Sequence, residues 1–188
     1  MNEQLAIQTA IPLIKPAETF AANAYWDVNG WAIGYGFHDY PDGTAVQQGD
    51  TMTLDDANAD VIQLATQKWN AIKRCITVNL NENQAAALID LAYNCGEGAV
   101  CRSTLLQLIN AGAPQEQITA QFEQTCVTAK GIYMSGLYTR RVDEVSLFFS
   151  NVQQYAQQNP VQILIGGAVV VGLFGFLLYR AVYKKKIA

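Results

Sequence analysis

A chain of 188 residues has room for one domain of ordinary size and an appendage. Its net charge of −4 hides a division: Arg180 and Lys184–Lys186 carry +4 at the end, so residues 1–160 hold about −8, a balance that argues against nucleic-acid binding and gives anionic substrates no long-range attraction. Hydrophobic residues make up 51% against 15% charged, and the excess is gathered in one C-terminal run rather than spread over a core.

The first fifteen residues, "MNEQLAIQTAIPLIK", carry Glu3 early and lack a basic leader, so no signal peptide is expected. A short helix is expected over 12–23, beginning at Pro12 and carrying Glu18. Residues 25–36 read as a hairpin in which Asn29-Gly30 is the two-residue turn. That register sets Val28 against Trp31 and Asp27 against Ala32, on one face. "PDG" (41–43) and "QQGD" (47–50) are turns. "TLDD" (53–56) is a capping box for a helix to about Arg74, with Val61, Leu64, Ala65, Lys68, Trp69 and Ile72 at helical spacing. "NENQ" (81–84) caps the next helix, whose apolar face holds Leu88, Leu91 and Ala92. A loop is expected over 94–100, a helix over 103–112 ended by Gly112, and further helices over about 115–127 and 137–150. Residues 1–150 are thus expected to form an α+β domain, one small hairpin sheet with a helical bundle, followed by a polar linker at 151–160.

Residues 161–179, "VQILIGGAVVVGLFGFLLY", are apolar apart from Gln162. With its flanks this run is long enough to cross a bilayer core of roughly 30 Å as a helix, so a transmembrane helix is expected over 161–183 and a basic tail over 184–188. Tyr179 and Tyr183 stand where an aromatic belt would be, and Gly166, Gly167, Ala168, Gly172 and Gly175 form a small-residue face suited to a helix partner. The Lys cluster is expected on the cytoplasmic side, with the large domain across the membrane (periplasmic) or in a virion membrane. A tail anchor that leaves the domain in the cytoplasm is the competing topology.

The four cysteines, Cys75, Cys95, Cys101 and Cys126, allow three disulfide pairings, and free thiols are the alternative. There is no CxxC pair, and the single histidine, His38, is distant in sequence, so neither a metal nor a cofactor is expected. Trp26, Trp31 and Trp69 read as packing or as cleft wall.

The chemistry rests on two carboxylates. Glu18, on a largely apolar helix, suits a protonated general acid; Asp27, at the hairpin lip, suits an ionised partner that activates water. Spacing alone makes this a weak signal. The residues around it make it specific. "IKPAETFAANAYWDVNGWAIGYG" (14–36) resembles the phage-type lysozymes, the muramidase and endolysin family, through Lys15, Glu18, Ala24, Tyr25, Asp27, Gly30, Ile33, Gly34, Tyr35 and Gly36. "LNENQAAALIDLAYNCGEGAVCRSTLLQLINAG" (80–112) and "GLYTRRVDEVSLF" (136–148) resemble two later family blocks, in order. The resemblance spans about residues 11–150. It implies a lysozyme-like fold and cleavage of the β-1,4 bond between N-acetylmuramic acid and N-acetylglucosamine in bacterial peptidoglycan. It places the acid on Glu18 and the second carboxylate on Asp27. An inverting mechanism would set the two carboxyl groups ~6.5–9.5 Å apart, with room for water.

Two departures stand out. The family's water-holding Thr is Ala32 here, in a turn one residue shorter, which leaves Asp27 to act alone or with Tyr35 or His38 as substitute. Phe37 is inserted before the usual His. Tyr25 and Asn94 are candidates for sugar contact or for structural hydrogen bonds, and Tyr35 is grouped with them. Arg140 and Arg141 are candidates for pairing with Glu18 or for a structural ion pair. The function expected is a membrane-anchored wall hydrolase of phage origin, used in wall penetration or lysis. The alternatives are a lytic transglycosylase, which needs no water, and a catalytically inactive wall-binding or structural virion protein.

Overall fold

The computed structural model describes residues 1–27 and 30–150, together with the backbone of 163–165 and 168–170. The chain separates into two units, Met1–Phe149 and Ser150–Ala188. The first carries Glu18, Asp27 and all four cysteines.

Helix α1 runs Glu3–Glu18, starting nine residues earlier than the sequence suggests and ending five residues sooner. Asn2 caps it, its side chain accepting from the Leu5 amide, and Ala6, Ile7, Ala10 and Ile14 form the buried stripe. Pro12 and Pro16 lie inside the helix on the opposite side, where solvent can serve the carbonyls they leave unbonded. Thr19, at φ 55°, ends the helix.

Strands β1 (Ala21–Asp27) and β2 (Gly30–Gly34) form the hairpin. The register is Asp27↔Gly30, Trp26↔Trp31 and Tyr25↔Ala32, so Gly30 is a strand residue rather than half of the expected turn. The expected pairing of Asp27 with Ala32 is corrected: Ala32 lies two cross-strand pairs deeper than Asp27, opposite Tyr25, and is fully buried. The outer edge of β1 is taken by residues 50–52, through Ala24 N–H to the Asp50 carbonyl and Met52 N–H to the Ala22 carbonyl, both 2.9 Å. After β2 the chain turns tightly, with Gly34 at φ 62° and Gly36 at φ 74°, so that Ile33 and Phe37 exchange both backbone hydrogen bonds.

The helical part follows the expected capping signals closely. Helix α2 (Leu54–Ile72) is capped by Thr53 and buries Ala57, Val61, Ala65, Trp69 and Ile72. Helix α3 (Glu82–Cys95) has a full capping box between Asn81 and Gln84 and is the central helix, buried from Ala85 to Ala92. The expected loop at 94–100 is largely helix α4 (Glu97–Arg102), set off from α3 only by Gly96 at φ 82°. Helices α5 (Thr104–Asn110) and α6 (Gln115–Phe122) follow. A small ladder of β3 (Thr128–Ala129) and β4 (Ile132–Tyr133) precedes helix α7 (Ser135–Phe149). Helix α3 packs against α1, α2 and α7, which brings the end of α1 and the start of α7 to one side of it.

In the second unit, β5 (Ile163–Ile165) and β6 (Ala168–Val170) pair antiparallel. These six residues therefore do not belong to the helix expected over 161–183. Ile163, Ile165, Val169 and Val170 are β-branched, and Gly-Gly at two-residue spacing is itself a hairpin signal, so apolarity and length alone did not decide the conformation. The rest of that run, the linker at 151–160, the glycine face and the basic tail at 184–188 lie outside the described residues. Among the described residues no helix is long and apolar enough to cross a membrane.

Candidate active site

Glu18 is the last residue of α1. A carboxylate at a helix C-terminus faces the negative end of the helix dipole, and here a cation offsets it: Arg140 Nη1 donates to Glu18 Oε1 at 2.5 Å. Arg140 is itself gripped from behind. Its Nε and Nη2 donate to the two oxygens of Asp90, at 2.9 and 2.8 Å, in a bidentate pair. Asp90 is fully buried and Arg140 is 7% exposed, so both charges depend on this arrangement. Burial alone would lower the Arg140 pKa, but the hydrogen bonds and charges of Asp90 and Glu18 raise it, so the guanidinium is fixed as a cation.

The other Glu18 oxygen, Oε2, lies against Gly36. A Cβ placed there would come within 2.9 Å of Oε2. The positive φ of Gly36 and its missing side chain thus have a joint consequence: the tight turn passes beside the acid without covering it.

Asp27 ends β1 and is half-exposed, with His38 beside it. His38 Nε2 stands 3.6 Å from Asp27 Oδ2, while Nδ1 lies 3.1 Å from the Trp31 carbonyl oxygen. A carbonyl only accepts, so Nδ1 carries the proton, and in a neutral ring Nε2 is an acceptor facing the carboxylate. Tyr25 joins the two sides. Burial raises its pKa, and the charges of Asp27 and then Glu18 raise it further, so the phenol senses both carboxylates.

A second set of groups braces the turn. Tyr35 is 6% exposed, and its hydroxyl donates to Asn58 Oδ1 at 3.1 Å. Lys15 Nζ bonds the same Asn58 oxygen at 2.5 Å and lies 5.3 Å from the Tyr35 ring centroid. Burial lowers the Lys15 pKa. Tyr93, from α3, donates its hydroxyl to the Tyr35 carbonyl at 2.9 Å, and burial followed by the charge of Glu18 raises its pKa. Tyr35 therefore sits inside the wall of the site, with its hydroxyl committed to Asn58, rather than on the open face where Tyr25 stands. Asn94 is half-buried at the end of α3, its Oδ1 3.7 Å from Cys95 Sγ.

The two arginines divide. Arg140 reaches Glu18; Arg141 turns into the core, where Nη2 donates to Glu144 at 2.6 Å and both residues are fully buried. Burial holds the Glu144 pKa well above the ordinary carboxylate value, with Arg141 working against it. Of the cysteines, Cys75 and Cys101 form a disulfide, which ties the end of α2 to α4, while Cys95 and Cys126 are free.

Asp90, Tyr93, Asn58 and Gly36 were not singled out from the sequence as site residues. Asp90 had a signal, a lone carboxylate inside the apolar run "AAALIDLAY", but its partner lies fifty residues away in α7.

Residues 15–144 match the phage lysozyme family model. The chain belongs to the phage lysozyme family. It is 31% identical over 147 residues to the endolysin of Bacillus phage PZA, an alignment covering 76% of this chain and 54% of that one. The chain spans about half the length of the Bacillus phage endolysins it matches. In structure it is similar to the endolysin from Escherichia coli O157:H7 phage FAHEc1, with TM-score 0.67, 28% identity, and 75% of this chain and 90% of that chain covered. It is also similar to the muramidase domain of SpmX from Asticaccaulis excentricus, with TM-score 0.66, 26% identity, and 76% and 95% covered. These likenesses bear out a lysozyme-like α+β fold for the first unit.

Proposed function

We propose that this chain is a peptidoglycan hydrolase, a muramidase that cleaves the β-1,4 bond between N-acetylmuramic acid and N-acetylglucosamine. The observation that carries the reading is the Glu18 carboxyl held by one oxygen on Arg140, with Gly36 beside the other. In the protonated form Glu18 gives its proton to the leaving oxygen of the glycosidic bond from the Gly36 side. Asp27 accepts a hydrogen bond from water on the other side of the sugar, and His38 Nε2 accepts the second, so the water's lone pair is aimed at the anomeric carbon. The two acceptors stand 3.6 Å apart, and Ala32, buried opposite Tyr25, takes no part. The product is a reducing end with inverted configuration. Tyr25, half-exposed and close to both carboxylates, is the side chain best placed to contact the sugar.

The test is Glu18→Gln in the full chain, assayed by loss of turbidity of purified walls. The amide keeps the shape but has no proton to give, so activity falls ~100-fold or more. Activity within about a factor of three of the parent would sink the assignment. Ala32, at the family's Thr position, favours a second reading, a lytic transglycosylase, in which the sugar's own hydroxyl replaces water. Mass spectrometry of the products decides between them, since that reaction leaves 1,6-anhydro ends.

For the setting, we propose that the apolar run at 161–179 holds the enzyme at a membrane, either the host inner membrane or that of a virion, with the domain on the wall side and Lys184–Lys186 on the cytoplasmic side. Tethering raises the concentration of an acidic enzyme near its wall substrate, in wall penetration or in lysis. Protease added to spheroplasts should then digest residues 1–150 and spare a C-terminal tag. Digestion of the tag alone would reverse the topology.

A further inference from the structure

With Cys75 and Cys101 joined, the other two cysteines are left as neighbours. Cys95 is the last residue of α3, and Cys126 lies in the segment between α6 and the β3–β4 ladder. The two thiols are near enough for each to act on the other's charge. Arg141 Nη1 lies 3.2 Å from Cys95 Sγ and donates as well to the Thr125 carbonyl, at 3.4 Å. Both cysteines are half-buried. Cys126 has φ 54°, in the left-handed region that side-chain-bearing residues avoid. A backbone held in that region has to be over-determined by its surroundings, and such outliers gather at functional and switching sites.

We propose that Cys95 and Cys126 are a redox-active dithiol that closes to a second disulfide by exchange with a small disulfide of the glutathione type, stapling the end of α3 to the segment leading into α7. Cys126 is the attacking thiol. The neighbouring Cys95 thiol lowers its pKa to about 7, against the opposing effect of burial and with help from the Arg141 charge, so a large part of it is thiolate at neutral pH. The Cys95 pKa is raised by Cys126 and by burial, as suits the thiol that keeps its proton until the second step.

The exchange balances. The Cys126 thiolate attacks one sulfur of oxidised glutathione, forms a mixed disulfide and releases one glutathione thiolate. Cys95 then gives its proton to that thiolate and attacks Cys126 Sγ, releasing the second glutathione. Two protein thiols are oxidised and one glutathione disulfide is reduced to two thiols. What is stapled bears on the candidate site: α3 carries Asp90 and Tyr93, and α7 carries Arg140, which holds Glu18.

The experiment uses the full chain in detergent, incubated with oxidised glutathione, quenched with iodoacetamide and mapped by peptide mass spectrometry. The unmutated chain should yield a Cys95–Cys126 cross-link. Cys95→Ser should accumulate a glutathione adduct on Cys126, because the resolving thiol is gone. Cys126→Ser should acquire about tenfold less adduct at Cys95. Alkylation of the unmutated, reduced chain, which needs no variant to fold, should favour Cys126 and reach half its limiting rate near pH 7. Closing the bridge should raise Tm by on the order of 5 °C. Both thiols remaining fully alkylatable after incubation, adduct forming on Cys95 in preference to Cys126, or a bridged protein with no rise in Tm would overturn the proposal.

Discussion

The two carboxylates stand in opposite surroundings. Glu18 is tied through Arg140 to a fully buried aspartate, a three-group chain from the end of α1 through α7 to the centre of α3. Asp27 sits at the lip of a two-stranded hairpin, 45% exposed, with one imidazole at 3.6 Å as its neighbour and no hydrogen bond to it at that distance. Glu18 is built into the helical side; Asp27 is carried on the edge. That difference suits the tasks proposed for them. A proton donor must meet one oxygen in one geometry, whereas a residue that works through water tolerates a looser frame.

The widest gap between the two sides should open when Arg140 is removed. Arg140→Ala leaves Asp90 buried and uncompensated, which should cost about 3–5 kcal/mol of stability and show as a large drop in Tm. Asp27→Ala, on the exposed side, should change Tm little. Equal losses from the two variants would erase the distinction between a buried acid side and a surface-held partner.

How much of this was legible in sequence follows the same division. The capping boxes at 53–56 and 81–84 and the helical spacing behind them are local signals, and α2 and α3 appear where they point. Glu18 and Asp27 were marked by short motifs, which are local too. The start of α1 was hidden because Pro12 looks like a first helical residue, whereas Asn2 had already capped the helix. The hairpin register was misread because Asn-Gly is so strong a turn pair; instead Gly30 is the first residue of β2, opposite Asp27. Asp90 with Arg140, and Cys95 with Cys126, are meetings of distant segments that no local pattern encodes. In the C-terminal run the length of the apolar stretch argued for a helix, while its β-branched residues are paired as strands where the backbone is described.

Ala32 gives a smaller test of the hairpin side. On the expected register Ala32→Thr would have set a hydroxyl beside Asp27 and helped hydrolysis. In the observed register the position is fully buried beneath Tyr25. A hydroxyl there meets no water, and the variant should lose about 1–3 kcal/mol of stability with no gain in turnover. A variant of unchanged Tm with faster hydrolysis would show that Ala32 faces the water and would overturn the Tyr25↔Ala32 register.

The smallest expected effect separates Asp27 from its neighbour. If His38 Nε2 takes the second hydrogen of the attacking water, His38→Ala removes one acceptor and leaves the carboxylate in place. A hydrogen bond of that kind is worth about 1 kcal/mol, so kcat should fall about fivefold. KM should hold, because the interaction is with water rather than with sugar. The substitution also frees the Trp31 carbonyl from the imidazole, so Tm must be measured beside the rate. A drop in Tm with unchanged kcat would make His38 a brace for β2 and leave Asp27 to hold the water alone. A fall in kcat at constant KM and nearly constant Tm would place a second acceptor at the water, beside Asp27.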